Sequence, residues 1–215
     1  MIPIHLRVTP FLVALVVATL ATAPFRAEVV ADRHVVIFAP SEDDGRLVPT
    51  RDALKFWNTT LSEMRLSARL TESAVVIASP LTRTLENYAQ QLWRQAGRLT
   101  SGQPGPRAPR QLHGVDADIV LFLSAQRLMS FAWPVDQSER YFVAIGTRSK
   151  DPVRNPVATH NVIAHELGHA LGLTHNGHAT ALMCSPCRST LVGGHQGHFL
   201  PLTSIDRARL TELYR

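Results

Sequence analysis

The eleven residues HELGHALGLTH, His165 to His175, constrain this chain more than any other stretch of it. Side chains four apart on an α-helix share a face, one turn above the other. On a helix, His165 and His169 therefore present two imidazoles to one point, with Glu166 beside them. Gly172, three residues past His169, can take a left-handed conformation and end the helix. The chain can then turn and return His175 to the same point. Imidazole nitrogens suit Zn²⁺, which tolerates an open fourth position. Glu166 then stands where a general base for a zinc-held water belongs, next to the metal without ligating it. Leu167, Ala170, Leu171 and Leu173 supply apolar faces for packing, and burial strengthens the grip on developing charge. A bare H-E-x-x-H recurs by chance, but the full string specifies five positions at fixed offsets. The bland alternative is a helix end whose histidines are solvated or hydrogen-bonded.

The rest of the chain has to house such a helix. It has 215 residues, 45% hydrophobic and 18% charged, enough for one ordinary core and outside the disordered class. Its start reads as an export signal, residues 1–27. A small positive region at Arg7 precedes FLVALVVATLATA, Phe11 to Ala23. Thirteen residues is short of the ~20 needed to span a bilayer but suits a signal core. Ala21-Thr22-Ala23 has the small-x-small form of a cleavage site. Pro24 is unfavourable just after it, so the cut is placed between 21 and 27. The alternative is a buried strand or a retained anchor. The expected mature chain, 28–215, is a secreted or periplasmic single domain with no stable membrane span. Removing Arg7 and Arg26 leaves 20 basic against 17 acidic residues, a net of +3. The basic residues are scattered, so no stripe exists for nucleic acid.

Periodicity outlines the elements. VVIFAP, Val35 to Pro40, reads as a strand. Thr50 to Leu66 reads as a helix with Thr50 as N-cap and Leu54, Phe56, Trp57, Leu61 and Met64 on its stripe. AVVIAS, Ala74 to Ser79, is a second strand. Leu81 to Ala96 is a second helix using Leu85, Tyr88, Ala89, Leu92 and Trp93, with Gly97 as its stop. SGQPGPRAPR, Ser101 to Arg110, is a loop by composition. DIVLFLS, Asp118 to Ser124, suggests a strand buried on both faces. RYFVAIGT, Arg140 to Thr147, is another strand. Val157 to Leu171 returns to helical spacing and carries the histidines.

On these residues the chain resembles the metzincin metallopeptidases, named for the long histidine string and a methionine turn. Met183, in ALMCSPC, lies eight residues past His175 and matches that turn. ALM, together with the closing LTSIDRARLTELYR, Leu202 to Arg215, is most similar to the matrixins, whose final helix carries an acidic pair; Asp206 matches its second acid and Ile205 replaces the first. The persuasive matching covers Val157 to Met183 and Leu202 to Tyr214. The resemblance implies an α+β, zincin-like catalytic domain. Its twisted mixed β-sheet packs on the active-site helix and two further helices, and a small C-terminal subdomain follows the third histidine. The methionine turn falls near 183 and the final helix at about 203–214. His165, His169 and His175 are implied as ligands of one catalytic zinc, Glu166 as base, Gly172 as the bend and Met183 as the floor beneath the ligands.

Several positions depart from the family. Asn176 replaces the usual serine after the third histidine. No cysteine precedes Cys184, so the family's cysteine latch is absent. Structural zinc and calcium loops are not identifiable, which leaves calcium possible without a site. Ser185 stands where some metzincins place an extra tyrosine ligand.

The implied function is a zinc-dependent endopeptidase acting on proteins or peptides, monomeric, with substrate extended along a sheet edge, for which Arg140 to Thr147 is the candidate. An exported zinc-binding module without peptidase activity is the alternative, though such a module has no need of Glu166. A third ligand from a downstream glutamate fits poorly, because Glu212 is the only one after Glu166 and lies in the expected last helix. Cys184 and Cys187 suit a small disulfide loop in an oxidising compartment; with His195 and His198 they offer a less regular second zinc site. LVGGHQGH, Leu191 to His198, corresponds to the specificity wall of metzincins, or is a plain surface loop. His160 and His178 lie off the ligand register, in surface or supporting roles.

Overall fold

Val35, Ile37 and Ala39 alternate with Val36 and Phe38 along one extended run, and each set enters a different hydrophobic core. That alternation is the organising fact of the fold, because a strand buried on both faces needs helices on both sides. The computed structural model describes residues 32–96, 105–135, 139–147, 156–187 and 199–215. The expected export segment 1–27 lies outside these residues.

Five strands form one mixed sheet in the order β2-β1-β3-β5-β4. They are β1 (Asp32–Ala39), β2 (Arg69–Ile77), β3 (Ile119–Leu123), β4 (Phe131–Pro134) and β5 (Tyr141–Ile145). The first four in sheet order run parallel, and β4 is antiparallel to β5. β3 is buried at every position, as its unbroken apolar run predicts. Ile119, Leu121 and Leu123 face one core; Val120 and Phe122 face the other.

The first core joins the sheet to α1 (Leu47–Glu63), α4 (Pro156–Ala170) and α5 (Ser204–Tyr214). Trp57, Leu61, Ile163, Leu167 and Leu210 are fully buried in it. The indole N–H of Trp57 donates to the Ala164 carbonyl at 2.9 Å, fixing α1 against α4. The second core is closed by α2 (Thr82–Ala96) through Leu85, Tyr88, Ala89 and Leu92, with Leu112 from the short α3 (Arg110–His113). The α+β zincin-like class is thus realised with α2 and the short α3 on the face away from α4.

Local expectations are corrected in four places. Helix α1 starts at Leu47, not Thr50. Thr50 is not the cap; its buried hydroxyl donates to the Arg46 carbonyl at 2.8 Å. A long-range tie decides this start: the Arg46 guanidinium pairs with Asp44 at 2.6 Å and donates to the carbonyls of Ser124 (2.7 Å) and Ile145 (2.9 Å). Strand β2 begins at Arg69, because its polar first half pairs with β1 while its outer side faces solvent. Trp93 lies off the buried stripe of α2 and is 41% exposed. Finally, Arg140 to Thr147 is not a sheet edge. β5 is interior, and the edge on that side is β4, where Pro134 is tolerated because an edge strand need not donate outward.

Candidate metal centre

Helix α4 buries Ile163, Ala164, Leu167 and Ala170 against the sheet and α1, which turns His165 and His169 toward a common point on another side. It ends in a Schellman turn. The Leu173 N–H donates to the Gly168 carbonyl at 3.0 Å and the Gly172 N–H to the His169 carbonyl at 2.9 Å. Gly172 has φ +85°, the left-handed bend that its position predicts. The reversed chain carries His175 back to α4.

The three Nε2 atoms lie 3.2 Å (His165–His169), 3.2 Å (His165–His175) and 3.1 Å (His169–His175) apart. His165 and His169 are half-buried and His175 is exposed. The other ring nitrogens of the helical pair are committed elsewhere. His165 Nδ1 donates to the Leu182 carbonyl at 2.7 Å and His169 Nδ1 to the Leu173 carbonyl at 2.8 Å. With the proton held at Nδ1, each Nε2 keeps its lone pair for the common point. Burial pulls His165 down to a pKa of about 4, and its two histidine neighbours push the same way against the Leu182 carbonyl. His169 is lowered by burial and by His175, against its bond to Leu173. These two rings are therefore neutral near pH 7.

Three converging lone pairs repel one another unless a cation sits among them. Zinc at ~2.0–2.1 Å from each nitrogen in tetrahedral geometry sets the nitrogens roughly 3.3 Å apart, close to the separations here. The donor set thus fits zinc. Among the described residues no other three such side chains gather in this way.

Glu166 is 7% exposed and sits on α4 beside His165. Met183 is fully buried under the helix: a Cβ placed on Gly168 would lie 2.6 Å from its sulfur. Cys184 and Cys187 form a disulfide, which removes both thiolates from any second zinc site. His195, His198 and the rest of Leu191 to His198 lie outside the described residues. His160 pairs with Asp52 at 2.8 Å. His178 is exposed, and its backbone N–H donates to Asn176. A cavity of about 730 Å³ between α1 and β2 includes none of the histidines.

Two contributions were missed in the sequence. The carbonyls of Leu173 and Leu182 orient the rings, and backbone oxygens leave no mark in side-chain identity. Asn176 and Asp206 join across the site through the Asn176 amide, 3.1 and 3.0 Å from the two carboxylate oxygens. The departure at Asn176 and the place of Asp206 at the second acid of the matrixin final-helix pair were the available signals.

The sequence family described as matrixin matches residues 103–215. No curated protein sequence matches the chain. Among solved structures, an archaemetzincin from Methanopyrus kandleri is similar at 15% identity and a TM-score of 0.42, over 87% of this chain and 96% of that one. A protein solved in a chaperone–substrate complex is similar at 13% identity and a TM-score of 0.44, over 87% of this chain and 36% of that one. More than half the chain falls within the matrixin match, and that half carries the three gathered imidazoles; the chain belongs to the matrixins, metzincin-type zinc metallopeptidases.

Proposed function

We propose that the chain is an endopeptidase of the secreted or periplasmic space, with His165, His169 and His175 holding zinc and Glu166 as general base. The observation that carries the reading is the meeting of three Nε2 atoms within 3.1–3.2 Å, two of them held there by carbonyls. Zinc held by these three histidines would supply a Lewis acid for the scissile carbonyl and acidify the attacking water. Glu166 accepts the proton of the attacking water and delivers it to the leaving amine. His165 and His169 keep their ring protons on Nδ1 throughout, locked by Leu182 and Leu173. An extended substrate segment pairs with the outer side of β4, Phe131–Pro134, the end strand of the sheet. Export is supported by the apolar run Phe11 to Ala23 and is compatible with the Cys184–Cys187 disulfide.

Glu166→Ala tests the assignment. The variant should retain zinc and lose cleavage of a quenched peptide, whereas the wild type should lose cleavage only when a chelator is added. Undiminished activity in the variant, or loss of its zinc, would refute the role given to Glu166.

A further inference from the structure

His165 and His169 are placed by the geometry of α4, but His175 is exposed, on a loop beyond the helix; the Gly172 bend returns it to α4, and the residues after it hold the far side of that loop. Asn176, immediately C-terminal to it, engages all four of its polar groups. The Asn176 N–H donates to the Met183 carbonyl at 2.7 Å, and its carbonyl accepts from the Ser185 N–H at 3.0 Å. Together these pin the loop to the segment through Met183 and Cys184 as a parallel bridge. The side-chain oxygen accepts from the His178 N–H at 3.0 Å, closing the turn after the ligand. The side-chain amide forks onto both oxygens of Asp206, 30 positions away at the start of α5.

Asp206 is a fixed post. It is 3% exposed and closes a capping box, its Oδ2 accepting from the Thr203 N–H and hydroxyl at 2.8 Å each. α5 is itself anchored at its far end, where the Tyr214 hydroxyl donates to the Leu171 carbonyl at 3.2 Å and the Tyr214 carbonyl accepts from the Ser67 hydroxyl at 2.9 Å. The Asn176 amide thus links the third imidazole, through one peptide unit, to the last helix.

We infer that Asn176 is a positioning residue for His175, and that the Asn176–Asp206 pair sets the zinc affinity of the three-histidine centre. This rests on the metallopeptidase reading of the same site. Outer partners of metal ligands govern affinity by restricting the ligand's freedom, and losing one weakens binding about 10- to 100-fold. Asn176→Asp alone would set two carboxylates against each other. The exchange Asn176→Asp with Asp206→Asn restores the pair with donor and acceptor reversed: the new carboxylate still accepts from His178, and the new amide oxygen still accepts from Thr203.

The test is zinc affinity of the full chain by competition with a chromogenic chelator, alongside the melting temperature of the metal-free protein. Wild type, Asn176→Ala, Asn176→Asp and the exchanged double variant are compared. We expect about 10- to 100-fold weaker zinc binding in both single variants and recovery in the double variant. Wild-type affinity in the single variants, or no recovery in a folded double variant, overturns the inference. A drop in melting temperature with zinc affinity unchanged also overturns it, since that is the signature of a merely structural contact. A wild type that binds no zinc overturns instead the metallopeptidase reading beneath it.

Discussion

Replacing Gly168 with alanine puts one methyl group where the helix, the methionine turn and α1 meet. The added Cβ would lie 2.6 Å from Met183 Sδ, 3.2 Å from Met183 Cε and 3.1 Å from Trp57 Cζ2. Both side chains are fully buried, and Trp57 is tethered by its bond to the Ala164 carbonyl. Overpacking of this kind costs about 1–3 kcal/mol. It is opposed by about 1 kcal/mol from exchanging glycine for alanine within a helix. The overpacking term wins because the nearest atoms are contacted well inside van der Waals range. A net loss of up to about 2 kcal/mol should lower the melting temperature by up to roughly 8 °C for a chain of this size. Zinc affinity should fall as well, because displacing Met183 shifts the adjacent Leu182 carbonyl from His165. Gly177→Ala is the control: its Cβ meets nothing within 4 Å, so it should stay within about 0.5 kcal/mol of wild type. Thermal melts and zinc competition on both variants decide it. A Gly168→Ala protein that melts at or above wild type with unaltered zinc binding would show that helix propensity outweighs the packing described.

Gly172→Ala forces a side chain into a residue at φ +85°, with its Cβ 2.7 Å from Leu213 Cδ1. The left-handed conformation alone costs about 1–2 kcal/mol, and urea unfolding should show at least that loss; a neutral result would contradict the bend. Asp44 concerns pH. Its pKa lies below the ordinary 3.8: burial raises it most strongly as a single cause, and the hydrogen bonds and charge of Arg46 together outweigh burial. A depressed carboxylate contributes stability above pH 3.8 that is lost as pH falls through its folded pKa. Asp44→Asn should cost about 1–3 kcal/mol near neutrality by unpairing Arg46, and the gap to wild type should narrow below pH 3.8 in urea titrations. A gap independent of pH would deny the ion pair its role.

Legibility in the sequence followed the range of the interactions. The gathering of the three histidines was readable because their spacing is a property of one helix and one turn. The two-faced burial of β3 was readable because five consecutive apolar residues leave no polar side. Helix α1 was misplaced at its start because Arg46 joins strand ends 78 and 99 residues away, and no local cap announces that. The true sheet edge was missed because Phe131–Pro134 is four residues long, too short for alternation to show.

The amino-acid sequence alone determined which groups can gather at one point: three histidines and an adjacent glutamate, with a glycine that bends the chain between them, all within eleven residues. Covalent spacing and helix geometry suffice for that. Tertiary structure alone decided how the groups are held. The proton of His165 faces Leu182, that of His169 faces Leu173, and the loop of His175 hangs from Asp206 through Asn176. Orientation depends on hydrogen bonds to backbone and side chains that only folding brings within reach, so it is written in the packing of α4, the methionine turn and α5 together.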